Sequence, residues 1–205
     1  MNDRVAGSAE LRNAAAGDAA EVAAVHMRCL PESASDFTAL GRRIVARFYA
    51  NVIARGLGTV IVCERSGRMV GFVLVTRDVS ALFTRSLLDG PRDLAAFLFR
   101  VSPLGLLRAV RNKITSGTAQ IPTVPELVYL AVDERFRGQG HGATLMDAAE
   151  DWFRRAGISY YELNVDSANP PALGLYLAKG MTIKRSYMKH GLAMHTLSRR
   201  LEAGR

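Results

Sequence analysis

The chain has 205 residues, 49% hydrophobic and 22% charged, which suits one sizeable core with an ordinary globular surface and predicts a single domain over 1–205. Its formal net charge of +8 points to an anionic partner (a phosphorylated cofactor, an acidic substrate, nucleic acid or a membrane surface), the plain alternative being a basic, solvated exterior. Basic residues are spread with no long Lys/Arg tract and no aromatic-interleaved stripe, which disfavours nucleic acid. Cys29 and Cys63 give neither a disulfide framework nor zinc spacing.

In chain order, residues 1 to about 8 read as a loose tail. "MNDRVAGSAE" carries no apolar signal region and no apolar run reaches a membrane span, so free thiols in a reducing cytoplasm are expected. "ELRNAA" reads as a first strand closed at Gly17–Asp18. Asp18 is placed to cap a helix through "AAEVAAVHMRCL", with Val22, Val25 and Cys29 on one face and Pro31 as its end. A second helix is predicted over "DFTALGRRIVARFYANVIAR", with Leu40, Ile44, Phe48 and Val52 at four-residue spacing and Gly56 as its stop. "TVIVCERSGRMVGFVLVT" reads as a β-hairpin turning at Ser66–Gly67. Residues 78–125 follow as a helical insert of two or three short amphipathic helices, broken at Gly90–Pro91 and Ser102–Pro103. Then come strand "ELVYLAV", helix "GATLMDAAEDWFRRAG", strand "SYYELNV" and a short helix, "PPALGLYLAKG", with Pro at its start and Gly at its end. Strands "MTIKRSYMKH" and "LAMHTLSRRL" close the chain around Gly191. This order predicts an α/β (α+β mixed) fold, a mixed sheet with helices on both faces and the insert between the third and fourth strands.

The stretch "DERFRGQGHGATL" crowds glycines between an apolar strand and an amphipathic helix. A Walker A loop needs Gly-Lys-Ser/Thr, which is absent. Gly138, Gly140 and Ala143 satisfy G-x-G-x-x-A, and Glu162 stands about 20 residues on, as a dinucleotide-binding fingerprint requires. However, "DERFR" separates strand from glycines, and too little chain follows for a doubly wound domain. A structural glycine turn is the plain alternative. The remaining reading uses the physics of a helix N-terminus: successive backbone N–H groups and the helix dipole make an anion cradle that glycines let a phosphate approach.

Arg137-x-x-Gly140-x-Gly142 has the form Arg/Gln-x-x-Gly-x-Gly/Ala. At the family's spacing it is followed by "NPPALGLYLAKGM", in which Asn169, Ala172, Leu175, Tyr176 and Gly180 match a second signature and Met181 replaces the usual Phe. Together, over 126–198, these resemble the GNAT superfamily of N-acetyltransferases. The resemblance implies a central mixed, mostly antiparallel sheet flanked by helices, with acetyl-CoA as co-substrate and no metal. It implies direct attack by a primary amine in a ternary complex, on a small-molecule or carrier-linked acceptor. By the same resemblance, amides of Arg137, Gly138, Gln139, Gly140, His141, Gly142 and Ala143 bind the pyrophosphate. A backbone amide at Val132 or its neighbour Leu130 orients the thioester carbonyl, and Asn169 touches the pantetheine arm, caps the helix at Pro170, or both.

Tyr176 is implied as general acid to the departing thiolate, its alternative being a core aromatic. Glu126 opens its strand where the histone-acetylating branch carries its catalytic glutamate. Glu162 is a second candidate base; a water relay, or an amine arriving neutral, are others. Alternation puts Tyr160, Glu162, Asn164 and Asp166 on one face of their strand and Tyr161, Leu163 and Val165 on the other. Asn164 stands where the protein N-terminal-acetylating branch carries a glutamate, and an amide cannot act as a base. His141 is expected to project an exposed side chain near the phosphates, and His26, His190 and His195 lack metal spacing.

The insert, with Arg108, Arg111 and Lys113, reads as a wall of the acceptor pocket, as a basic amphipathic surface for an anionic membrane or partner chain, or as an ordinary lid. Its length suggests a bulky acceptor such as an amino sugar. Acetylation of a protein amine and a non-catalytic acyl-CoA-binding regulatory domain are the competing functions; the chain is expected as a monomer or homodimer.

Overall fold

A computed structural model of the protein describes residues 9–30, 38, 41–87, 124–189 and 191–202, and every structural statement below concerns these. Seven strands form one sheet: β1 (Glu10–Asn13), β2 (Thr59–Arg65), β3 (Arg68–Thr76), β4 (Glu126–Val132), β5 (Tyr160–Asp166), β6 (Thr182–Lys189) and β7 (Leu192–Arg200). The spatial order is β1-β2-β3-β4-β5-β7-β6, with every neighbouring pair antiparallel except β4 and β5. The β2–β3 hairpin turns through Ser66 (φ 52°) and Gly67 (φ 71°), the two positive-φ residues that match a right-twisted two-residue turn.

The helices divide between the two faces, as the element order predicts. On one side α1 (Ala19–Cys29), α2 (Arg42–Ala54) and α3 (Val79–Leu87) pack Val22, Val25, Val45, Phe48, Tyr49, Val52 and Leu82 against Val60, Val62, Phe72 and Leu74. On the other, α4 (His141–Arg155) and α5 (Pro170–Ala178) pack Leu145, Met146, Ala149, Phe153 and Tyr176 against Ile61, Val73, Val75, Leu163 and Leu197. The two layers use alternate residues of β2 and β3, the period-2 consequence of a pleated strand. A bulge at Val70, where Cys63↔Gly71 is followed by Glu64↔Met69, resets that alternation.

Three local expectations are corrected. The Asp18 carboxylate does not cap α1; it turns back to accept from Ala15 N at 2.7 Å and pairs with Arg12 at 2.6 Å, because a 3-10 turn (Ala16–Asp18) precedes the helix. α2 starts at Arg42 after Gly41, and its buried face is Val45, Phe48, Tyr49 and Val52, with Ile44 only half-buried. The packed stripe follows the 3.6-residue helical repeat more closely than a strict four-residue spacing. Leu40 lies outside the described residues. So does most of the insert: α3 matches its first predicted helix, whereas 88–123, with Arg108, Arg111 and Lys113, fall outside, as does His190. No described helix is long and apolar enough to cross a membrane.

Candidate active site

β4 and β5 meet at a single register pair, Glu126↔Glu162, reinforced by Glu162 N–H donating to Pro125 O at 3.0 Å. Beyond that pair they diverge. A bulge on β4 starts the divergence, since Leu74↔Tyr129 is followed by Val75↔Leu127 and Val128 is left extra. The gap is a small cavity of about 90 Å³ between Leu127–Leu130 and Leu163–Asp166. Beside it lies a larger cavity of about 450 Å³ walled by Leu130, Val132, Phe136, Arg137, Gly138, His141, Gly142, Asn169 and Tyr176, with Leu30, Leu130, Asn169, Ala172 and Tyr176 lining both.

Asp133 N–H donates to Val70 O of β3 at 2.8 Å, and N–H groups alternate edges along a strand. The N–H groups of Val132 and Leu130 therefore point to the opposite edge, into the gap. Asp133 is itself buried and clamped by Arg135 (3.0 and 2.8 Å) and Arg28 (3.2 Å); the Arg135 guanidinium holds its carboxyl well below the usual range. That clamp fixes the loop that leads to the glycines.

Gly140 takes φ +85° as the residue before α4, a conformation L side chains rarely adopt, and so turns the chain sharply into the helix. At Gly142 a Cβ would stand 3.2 Å from Leu175 Cδ2, so the missing side chain lets α4 approach α5. The first-turn amides of α4 have no intrahelical acceptor, and they lie at the wall of the larger cavity with the positive end of the dipole. The group that the motif implies, a pyrophosphate on a long flexible arm, fits an anion cradle opening into a cavity of that size. Arg137 Nε donates to Val132 O at 3.2 Å and ties the loop to β4. Gln139, Gly140 and Ala143 are not part of the cavity wall; the Gln139 side chain joins Arg65 (2.7 Å) and Arg135 O (3.2 Å).

His141 is not the exposed side chain expected. It is buried, edge-on to Phe136, with Nδ1 3.8 Å from Cys63 Sγ and Nε2 lacking a hydrogen-bond partner. The cause is helical phase: Leu145 and Ala149, one and two turns on, are core residues, and His141 extends their stripe to the cavity. Continuing that apolar stripe back one turn in the sequence would have found it.

Tyr176 is buried on α5 and lines both cavities. Its hydroxyl has no hydrogen-bond partner among the described residues, and burial pushes its pKa up to about 12. It is a core aromatic whose polar end is left open to the cavity. Asn169 does cap α5, its Oδ1 accepting from Ala172 N at 3.2 Å, and it lines both cavities as well.

The two acids are separated by environment. Burial between the strands pushes Glu126 up to about 7, with Glu162 adding repulsion, while a hydrogen bond from Asn164 Nδ2 (3.1 Å) works in the other direction. Glu162 is also raised by burial, but hydrogen bonds from Lys184 Nζ (2.5 Å) and Tyr160 hydroxyl (2.6 Å) outweigh it and hold it below its usual range. A group poised near neutrality suits proton abstraction; an ion-paired one does not. Alternation in β5 is as read: Tyr161, Leu163 and Val165 enter the core, and Glu162 and Asn164 face away from it. Sequence reasoning missed Phe136, Cys29 and Leu30 as cavity walls, because they come from a turn and a helix end that carry no motif. Cys29 and Cys63 are free, and no group of three metal-binding side chains forms among the described residues.

A seven-stranded sheet opened between β4 and β5, with a glycine-led helix start at the opening, defines an acyl-transfer scaffold, and the chain belongs to the acetyltransferase (GNAT) family, whose profile matches residues 26–181. Solved structures of similar fold include YncA, a putative acetyltransferase from Salmonella typhimurium with its cofactor acetyl-CoA (14% identity, 97% of each chain covered, TM-score 0.60). The ribosomal-protein-S18-alanine N-acetyltransferase from Escherichia coli is another (14%, 96% of this chain and 97% of that one, 0.58). The PaiA N-acetyltransferase from Thermoplasma acidophilum in complex with coenzyme A is a third (11%, 94% and 99%, 0.61). At these identities the likeness is one of fold. No curated protein matches the chain.

Proposed function

We propose that this acetyltransferase moves an acetyl group from acetyl-CoA to a primary amine by direct attack, with Glu126 as general base and Tyr176 as general acid. The observation that supports the reading is the shared wall of the two cavities: the α4 N-terminus lines the larger one, Tyr176 and Asn169 line both, and the smaller one lies between β4 and β5 beyond their single register pair, Glu126↔Glu162.

The first-turn amides of α4 and the loop from Arg137 to Ala143 would hold the pyrophosphate of acetyl-CoA, and the cofactor supplies an acyl group activated as a thioester. The N–H groups of Leu130 and Val132 point into the gap, where they orient and polarise a carbonyl. Asn169, with Oδ1 committed to Ala172 N, keeps its amide N–H groups for the linking arm. Glu126, poised near 7 and so ionised above neutrality, takes the proton of the incoming amine, directly or through one water. Tyr176, protonated at any physiological pH, donates its hydroxyl hydrogen to the leaving sulfur. The walls of Leu130, Phe136 and Leu175 exclude water, which would otherwise compete as acceptor.

Calorimetry with acetyl-CoA and CoA, followed by thiol release measured across a panel of amines, tests the reading. Tight CoA binding with amine-dependent thiol release supports it. Binding without release for any amine class would make the chain an acyl-CoA sensor, and absence of binding would overturn the cavity assignment.

A further inference from the structure

Glu126 accepts on Oε1 from Asn164 Nδ2 at 3.1 Å, and no described residue donates to its Oε2. The Asn164 amide has its direction fixed from behind. Its Oδ1 accepts from the Thr196 hydroxyl at 2.7 Å and from the Tyr187 hydroxyl at 3.0 Å. Thr196 Oγ1 in turn accepts from Arg185 Nε at 3.1 Å. Arginine only donates, so the threonine oxygen spends a lone pair on it and turns its own hydrogen toward Asn164. The strand register places the members side by side: Asn164↔Thr196 between β5 and β7, Arg185↔Thr196 between β6 and β7. The result is a chain of donors running one way across four strands, from a guanidinium on β6 to a carboxylate on β4.

An unpinned amide has two orientations of similar cost in water, and the reversed one would put oxygen against the Glu126 carboxylate. Here reversal would break two accepted hydrogen bonds and leave the hydroxyl hydrogens of Thr196 and Tyr187, one residue buried and one half-buried, without that acceptor.

We infer that Asn164 is a positioning residue for the base, held by the Arg185–Thr196 pair and Tyr187 so that it pins Oε1 of Glu126 and leaves Oε2 as the oxygen that takes the proton of the amine. The inference rests on Glu126 acting as base under the function proposed above. It also accounts for an amide at 164: a carboxylate there would face Glu126 at hydrogen-bond distance and could not donate to it.

The test needs no acceptor. The protein labelled with carboxyl-¹³C glutamate is titrated by NMR, with Glu126→Gln identifying the Glu126 signal. Thr196→Val, which keeps shape and removes the hydroxyl, is expected to raise the Glu126 pKa by about half a unit to one unit, since a donor to the charged form is loosened. Asn164→Leu raises it at least as far, and Asn164→Asp produces two coupled steps shared by the pair. In parallel, the acidic limb of thiol release with the best amine of the panel moves up by the same amount in each variant. A Glu126 pKa within about 0.2 of the parent in both Thr196→Val and Asn164→Leu overturns the inference. Should Asn164→Leu fail to fold, the Tyr187→Phe/Thr196→Val double variant decides by the same criterion. An acidic limb that survives Glu126→Gln is a separate result, which removes the base itself.

Discussion

Two side chains with unusual surroundings, Tyr176 and Glu126, carry the proposed chemistry. Tyr176 lines the cavity with a hydroxyl that has no hydrogen-bond partner among the described residues, and burial raises its pKa to about 12, which suits the proton donor of the proposed reaction. Tyr176→Phe is expected to lower kcat by about 100-fold or more, the usual range for loss of a positioned acid, while CoA affinity by calorimetry stays within about twofold. Equal losses in kcat and affinity would instead assign Tyr176 to packing. Glu126 is poised near 7, so kcat/KM should fall tenfold per pH unit below neutrality and lose that limb in Glu126→Gln. The sequence places both residues by motif spacing. It ranks Glu126 above Glu162 by resemblance alone; the physical difference is not legible, because part of it is Lys184, 22 residues further on and across two strand pairings.

At the scale of elements, the start of α4 carries the cofactor reading. Gly140→Ala puts a Cβ on a residue at φ +85°, and the left-handed conformation should cost about 1–2 kcal/mol in denaturant unfolding. Because that residue aims the first-turn amides, CoA affinity should fall by about tenfold or more; unchanged affinity would show that the amides are not the anion site. The glycines, the strand before them and the amphipathic helix after them were legible because each rests on local chemistry: backbone freedom, period 2 and period 3.6. The opening between β4 and β5 was not legible. It arises from one extra residue, Val128, in a ladder whose partner strand lies more than 50 residues upstream. The Asp18 cap failed for a related reason: Arg12 and Ala15 N offered that carboxylate partners that a capping rule does not see.

Across the whole molecule, two groups with shifted pKa values, His26 and Glu126, titrate against each other. His26 is fully buried with Nδ1 2.8 Å from the Tyr49 hydroxyl, and burial lowers its pKa from 6.5 to about 4. The unfolded chain therefore binds the extra proton between these values, and stability rises with pH there, by up to about 1.4 kcal/mol per unit. Glu126 is raised from 4.5 to about 7, so the folded chain holds the extra proton and stability falls with pH across that window. Asp18, Asp133 and Glu162, all held below their usual range, act at lower pH. The two slopes cancel between pH 4.5 and 6.5. Urea unfolding of the parent protein should be nearly flat there, and Glu126→Gln should expose the His26 slope and be the more stable protein at pH 8. A flat profile in the variant would mean that His26 is not held neutral. The charge of +8 acts at the same scale: CoA affinity should weaken as salt rises from about 50 to 500 mM, by more than that of dephospho-CoA, which carries less charge.

The single-pair junction of β4 and β5 has one more consequence, for the motion of the sheet. Four strands (β1 to β4) and three strands (β5 to β7) are each continuously laddered, yet the two blocks share one register pair. Amides inside the blocks, such as those of Val62 and Leu197, should exchange with solvent only on global opening, because their residues are buried and paired. Those of Leu130 and Val132 sit on an inner edge with no ladder partner, and they should exchange orders of magnitude faster than residue burial alone would suggest. Slow exchange would return at these two positions when acetyl-CoA fills the gap. Under the proposed function the sheet would carry its own reporter of ligand, written in two backbone protons and readable before any acceptor amine is known.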